Sequence, residues 1–121
     1  MARIVHFDLS GDNPEKLIPF YQRIFKWKFE KWEGPMEYWM VTTGPDSEPG
    51  INGGLSKRQR DNLVVNTMGV EDIDAVIKQI KESGGKIVTE KAAIPGVGWF
   101  AQFKDPEKNL FGLMQDDPEA R

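Results

Sequence analysis

Val5-His6-Phe7-Asp8-Leu9 is the stretch that decides the fold, because a related stretch, Val65-Asn66-Thr67-Met68, opens the second half of the chain sixty residues later. Apolar and polar residues alternate along the first stretch, which predicts a strand over residues 3–9 with His6 on the face opposite the apolar side chains. The second stretch has Asn66 where the first has His6. Two related modules predict a site between them, and this difference bears on whether that site holds a metal.

An amphipathic helix is predicted after each opening strand, because apolar residues recur there at helical spacing with an offset of 56. These residues are Leu17, Phe20, Tyr21 and Ile24 in the first half, and Ile73, Val76, Ile77 and Ile80 in the second. Asp12 or Asn13 followed by Pro14 predicts the start of the first helix, which Pro19 is expected to kink. Gly84-Gly85 predicts the end of the second helix.

Three short apolar runs separated by turns follow each helix and predict strands, at 26–33, 36–43, 50–56, 86–90, 98–103 and 109–115. The predicted fold class is α+β, with two βαβββ modules in one chain forming an eight-stranded curved, barrel-like mixed sheet with the helices outside. We place the first module at 1–57, a connector at 58–62, the second module at 63–116 and a tail at 117–121, all within one compact domain.

The composition excludes several classes of protein. The 121 residues carry a net charge of −3 and contain no cysteine, which rules out disulfides and thiolate metal ligands. The densest basic cluster, Lys57-Arg58-Gln59-Arg60, is expected to be a solvated connector, so no nucleic acid partner is predicted. No apolar run approaches the roughly 20 residues of a membrane span, and residues 1–6 lack a signal-peptide core. We therefore expect a cytoplasmic protein with no membrane partner.

Two motifs point to a known family. Asp105-Pro106-Glu107-Lys108-Asn109 lies before the last strand, and Phe20-Tyr21 precedes Phe25-Lys26-Trp27 at the end of the first helix. With the repeated βαβββ order, they resemble the vicinal oxygen chelate superfamily, which includes glyoxalase I, extradiol dioxygenases, and bleomycin- and fosfomycin-resistance proteins. Lys108 and Lys26 stand where that family commonly has glycine. The resemblance covers nearly the whole chain and implies a homodimer.

In the metal-dependent members of that superfamily, the first, fourth, fifth and eighth strands each supply one ligand. The resemblance places these positions at His6, Gly53, Asn66 and Gln115. Only His6 is a good ligand for a transition metal, since a zinc or nickel site needs three or four imidazole, thiolate or carboxylate groups. We therefore predict no metal and no other cofactor.

The resemblance and the strand alternation together predict a cleft that binds a small organic molecule without a metal. The residues predicted to contact this ligand are His6, Asn52, Asn66 and Gln115 through polar groups, and Tyr38, Trp99 and Phe111 through stacking. In an alternative interpretation the protein is a glyoxalase-like lyase or isomerase, with or without a divalent metal, in which His6 is the candidate catalytic acid–base group. The pattern is also compatible with a structural His6, and with a cleft that is filled by its own side chains.

Overall fold

The structure, a computed structural model, describes residues 2–59 and 64–121. Contacts divide the chain into two compact units, one formed by His6–Val65 and the other by Met1–Val5 with Asn66–Arg121. The first unit contains nearly all of one βαβββ module and the second unit nearly all of the other. Most of the predicted connector 58–62, and the predicted start of the second module at residue 63, lie outside the described residues. Within the described ranges, no helix is long and apolar enough to cross a membrane.

The first module is a four-stranded mixed sheet with one helix packed on one face. Its elements are β1 (Arg3–Gly11), α1 (Leu17–Phe25), β2 (Lys28–Lys31), β3 (Tyr38–Thr42) and β4 (Gly53–Lys57), and the strand order is β2-β3-β4-β1. β1 runs parallel to β4, while β3 is antiparallel to both β2 and β4. Trp39, Val41 and Leu55 form the buried core, and side chains of α1 pack against it.

The second module repeats this arrangement. Its elements are β5 (Val64–Gly69), α2 (Ile73–Glu82), β6 (Lys86–Ile94), β7 (Gly98–Lys104) and β8 (Leu110–Asp116), and the strand order is β5-β8-β7-β6. β5 runs parallel to β8, and β7 is antiparallel to both β6 and β8. Ile73 of α2 packs with Ala101, Phe103 and Leu113 in the core. The α+β class, with the βαβββ order in both halves, is therefore confirmed.

The first helix begins later than the sequence predicts. Pro14–Lys16 form a 3₁₀ turn, and the α-helix starts at Leu17. Pro19 is therefore the third helical residue, where a backbone N–H has no intrahelical partner to lose. The physical reason for expecting a kink at Pro19 is absent, because the preceding turn is not α-helical.

Two lysines adopt the left-handed conformation that usually belongs to glycine. Lys26 ends α1 with a φ of 60°, and Lys108 has a φ of 67° in the turn between β7 and β8. These are the two positions where the sequence departs from the glycines of the resembled family. A left-handed residue with a Cβ costs roughly 1–2 kcal/mol, so the chain keeps the turn geometry at a cost in stability.

Candidate ligand-binding site

Three polar side chains meet on the first module. The Tyr38 hydroxyl on β3 donates a hydrogen bond to Asp8 Oδ1 on β1 at 2.8 Å. His6 Nε2 lies 3.1 Å from the Tyr38 hydroxyl oxygen and 3.3 Å from Asp8 Oδ1. We call these three residues the His6 cluster. About a third of the His6 and Asp8 side chains is exposed, 37% and 33%, so the cluster is accessible from solvent.

The alternation of β1 explains why these side chains share a face. Phe7 and Leu9 pack on the core beneath α1, and His6 and Asp8 therefore project to the opposite side, here called the non-helix face. Gly54 pairs with Asp8 in the parallel register of β1 and β4. A Cβ at position 54 would overlap the Tyr38 hydroxyl, so the tyrosine reaches Asp8 only because residue 54 is glycine. The alternation over residues 3–9 predicted the face of His6 correctly. Asp8 was not among the predicted contact residues, although its spacing of two from His6 along the strand was the available signal.

Tyr38 is held in its neutral form. Burial raises its pKa far above the ordinary value of a tyrosine, and the negative charge of Asp8 and the hydrogen bond to that carboxylate raise it further. The hydroxyl therefore keeps its proton and donates a hydrogen bond to Asp8. Its oxygen is then available to accept a hydrogen bond from His6 Nε2.

The second module has the same backbone pairing without the polar cluster. Thr67 pairs with Gly112 as Asp8 pairs with Gly54, and Val65, two residues before Thr67, corresponds to His6. Phe100 pairs with Met114, two positions after Gly112, and Tyr38 pairs with Ser56, two positions after Gly54. Phe100 therefore corresponds to Tyr38. A Cβ at position 112 would approach both Thr67 and Phe100. Valine, threonine and phenylalanine thus replace histidine, aspartate and tyrosine.

Equating Asn66 with His6, and applying the same alternation to Gln115, predicts that both lie on the non-helix face, and the structure corrects both predictions. Asn66 pairs with Phe111, which packs against the core beneath α2. Paired residues share one face of a sheet, so Asn66 also lies on the α2 side. It is Val65, and not Asn66, that corresponds to His6. Gln115 also faces α2, because its Oε1 accepts a hydrogen bond at 2.9 Å from the backbone N–H of Ile73, the first residue of that helix. The prediction for Asn66 was wrong because the two opening strands are offset by 59 residues, one fewer than predicted.

The remaining predicted contact residues make structural contacts of their own. Asn52 Oδ1 accepts a hydrogen bond from the backbone N–H of Thr43 at 2.9 Å, which closes the loop between β3 and β4. Phe111 stacks on Phe103 in the core beneath α2. Trp99 packs on the same core, and its indole N–H donates to Asp117 at 3.0 Å. Their predicted contacts with a ligand stay predictions, as do those of Asn66 and Gln115.

The residues at the implied metal positions do not fit a metal. Gly53 faces the α1 side, where a Cβ would overlap the carbonyl oxygen of Phe7. Gly54, the fourth-strand residue on the His6 face, has its side-chain space filled by Tyr38. In the described part of the chain, no three histidine, cysteine, aspartate or glutamate residues lie close enough to share a metal. These residues therefore support no reaction step through a metal ion.

The fold class is defined by two βαβββ modules that follow each other in one chain. Residues 3–113 match the model of the Glyoxalase/Bleomycin resistance protein/Dioxygenase superfamily, and the chain belongs to this superfamily. The chain is also 36% identical over 113 residues to proteins from Mycobacterium bovis and Mycobacterium tuberculosis that are both named "Putative glyoxylase CFP32". The match covers 93% of this chain but only 43% of those relatives, so the chain spans less than half of their length.

Solved structures share the fold at low sequence identity. "Hypothetical protein BH1468" from Bacillus halodurans C-125 is 15% identical with a TM-score of 0.70, covering 99% of this chain and 98% of that one. Methylmalonyl-CoA epimerase from Mycobacterium tuberculosis is 12% identical with a TM-score of 0.69, covering 95% and 88%. A superfamily member from Vibrio splendidus 12B01 is 21% identical with a TM-score of 0.67, covering 96% and 100%. At these identities the likeness concerns the fold alone.

Proposed function

We propose that this protein binds a small organic molecule on the non-helix face of the first module, without a metal. The observation that carries the proposal is the His6 cluster, where three polar side chains from two strands converge at a partly exposed position. The second module folds with the same strand pairing but without these groups. Folding of the module therefore does not by itself require the cluster, which favours a role in recognition.

Apolar side chains lie close to the cluster and would suit the carbon skeleton of a ligand. Met40 follows Tyr38 by two residues on β3, shares its face, and is 42% exposed. The Trp32 ring meets the Tyr38 ring edge-on, with 6.2 Å between centroids. A few polar groups beside exposed aromatic and thioether side chains are typical of small-molecule sites.

The metal-free part of the proposal is tested by a thermal melt of metal-stripped protein with Zn²⁺, Ni²⁺, Mn²⁺ or Fe²⁺. A metal at about 100 times its dissociation constant would add about 2.7 kcal/mol and raise the Tm by several degrees. We expect no such shift in the wild type. A shift that is lost in His6→Ala would contradict metal independence.

The location of the site is tested by quenching of tryptophan fluorescence with a library of planar organic fragments. Fragments that quench the wild type are expected to lose affinity in His6→Ala. Lys86→Ala, at an exposed strand position of the second module, is the matched control and is expected to leave binding unchanged. Equal quenching of His6→Ala and wild type would contradict the site.

A second candidate function is acid–base catalysis by His6 in a glyoxalase-like lyase or isomerase. The observation that favours it is the orientation of the imidazole by a carboxylate and a tyrosine, since fixed orientation is what a proton-transferring histidine requires. A fold neighbour is described in complex with methylmalonyl-CoA, which supplies a first substrate to try. Exchange of its C2 proton in D₂O, followed by NMR, should occur with the wild type and stop in His6→Ala. Absence of exchange in the wild type would exclude this substrate.

A further inference from the structure

We propose that the His6 cluster selects ligands that present a hydrogen-bond donor, with a primary ammonium group on an apolar stem as the best match. This inference rests on the proposed function, since it concerns the ligand of the same site. It follows from a count of donors and acceptors in the cluster.

The cluster uses its own donors internally. Tyr38 has one hydroxyl hydrogen, and that hydrogen is donated to Asp8. The two atoms facing His6 Nε2 are the Tyr38 oxygen and Asp8 Oδ1, and both can only accept, so Nε2 carries the hydrogen. When the imidazole is neutral, this is its single N–H, and His6 Nδ1 then carries a lone pair.

The groups left for a ligand are acceptors. No hydrogen bond to His6 Nδ1 or to Asp8 Oδ2 is formed by the described residues. Every buried side-chain nitrogen or oxygen of the described residues has a hydrogen-bond partner. His6 Nδ1 and Asp8 Oδ2 have none among these residues, so neither atom is buried and both contact solvent. A carbonyl or carboxylate ligand would bring a further acceptor to this position, whereas an ammonium group would donate to Asp8 Oδ2 or to His6 Nδ1.

The strand register places an apolar path beside this end of the site. Asp8 pairs with Gly54, Gly54 with Met40, and Met40 with Glu30, so these four residues form one row across the sheet. Both ends of the row are carboxylates and its middle is glycine and an exposed methionine. Tyr38 fills the space over Gly54, so the apolar surface offered to the carbon stem of an amine bound at Asp8 is the Tyr38 ring and, next along the row, Met40.

The test compares two probes of similar size, 2-phenylethylamine and 3-phenylpropionate, by NMR titration of isotope-labelled protein in the presence of a chelator. We expect the amine to shift the His6, Asp8 and Tyr38 signals and to bind about tenfold more tightly than the carboxylate. Asp8→Asn is expected to remove most of this preference. Glu48→Gln, which removes the same charge from an exposed loop position, is the matched control and should retain the preference.

The outcomes separate the two proposals. Tighter binding of the carboxylate at the cluster would overturn the donor inference and leave the site in place. Equal affinity of Asp8→Asn and wild type for the amine would also overturn the inference. If neither probe, nor any fragment from the quenching screen, shifts the three residues of the cluster, the proposed function itself is wrong.

Discussion

Substitution of Gly54 by alanine tests the packing that holds the His6 cluster together. A Cβ at position 54 would occupy the space of the Tyr38 hydroxyl, so the tyrosine ring must move away. The movement breaks the hydrogen bond from Tyr38 to Asp8 and exposes the part of the ring that is now buried. Both effects lower the free energy of unfolding.

The expected loss is about 2–3 kcal/mol. A hydrogen bond to a charged group contributes about 1.5–3 kcal/mol and forced repacking costs about 1–3 kcal/mol, and the lower half of each range applies because the cluster is partly exposed to solvent. Against these losses, alanine in a strand gains about 0.5–1 kcal/mol over glycine because it restricts the unfolded chain. For a domain of this size the net effect corresponds to a Tm lower by about 10 °C.

Urea denaturation and thermal melts of a double-mutant cycle isolate this effect. In a Tyr38→Ala background, Gly54→Ala should cost nothing or stabilise slightly, which gives a coupling of about 2–3 kcal/mol. Gly44→Ala is the control, since the nearest atom to its Cβ is 3.7 Å away, an ordinary contact distance. The reasoning is refuted if Gly54→Ala costs the same in both backgrounds.

Three further predictions concern the second module. Gln115→Ala should lower the free energy of unfolding by about 1 kcal/mol in urea denaturation, because the first N–H of α2 loses its acceptor; an unchanged midpoint would show that water replaces the amide. Lys108→Gly should raise the Tm by a few degrees, because glycine relieves the left-handed strain at that turn; a lower Tm would contradict this. The pKa of Asp117 is lowered by hydrogen bonds from the backbone N–H of Glu119 and from the indole of Trp99. The contribution of Asp117 to stability is therefore complete above the pKa of the unfolded state, and it is lost as the pH falls through the pKa of the folded state. In an NMR titration, Trp99→Phe should move the Asp117 pKa upward, and an unmoved value would exclude the indole as a cause.

The repeat and the element order could be predicted because they depend on local signals. Period-2 alternation over residues 3–9, helical spacing from Leu17 and Ile73, and glycine at helix ends all act within a few residues. The start of α1 was missed because a 3₁₀ turn and an α-helical turn share the same Pro14 signal. Element type is thus readable from the sequence, while the first helical turn is not.

The candidate site was only partly predictable, because it depends on register between distant strands. His6 follows from alternation within β1, but its contact with Tyr38 requires the pairing of β3, β4 and β1 across 32 residues. A one-residue error in register exchanges the two faces of a strand, and this error put Asn66 on the wrong face. Gln115 was misplaced because β8 was assumed to follow the same alternation. The role of Gly54 was also inaccessible, since it depends on the space that the Tyr38 ring occupies.

Because the two modules share their strand pairing but not the polar side chains of the His6 cluster, the second module is an internal control for the first. The positions that correspond to the His6 cluster are occupied there by Val65, Thr67 and Phe100, which carry no ionisable group. Val65 and Thr67 are buried, with 7% and 3% of their surface exposed, so histidine and aspartate grafted at these positions would lose the solvent contact that His6 and Asp8 keep.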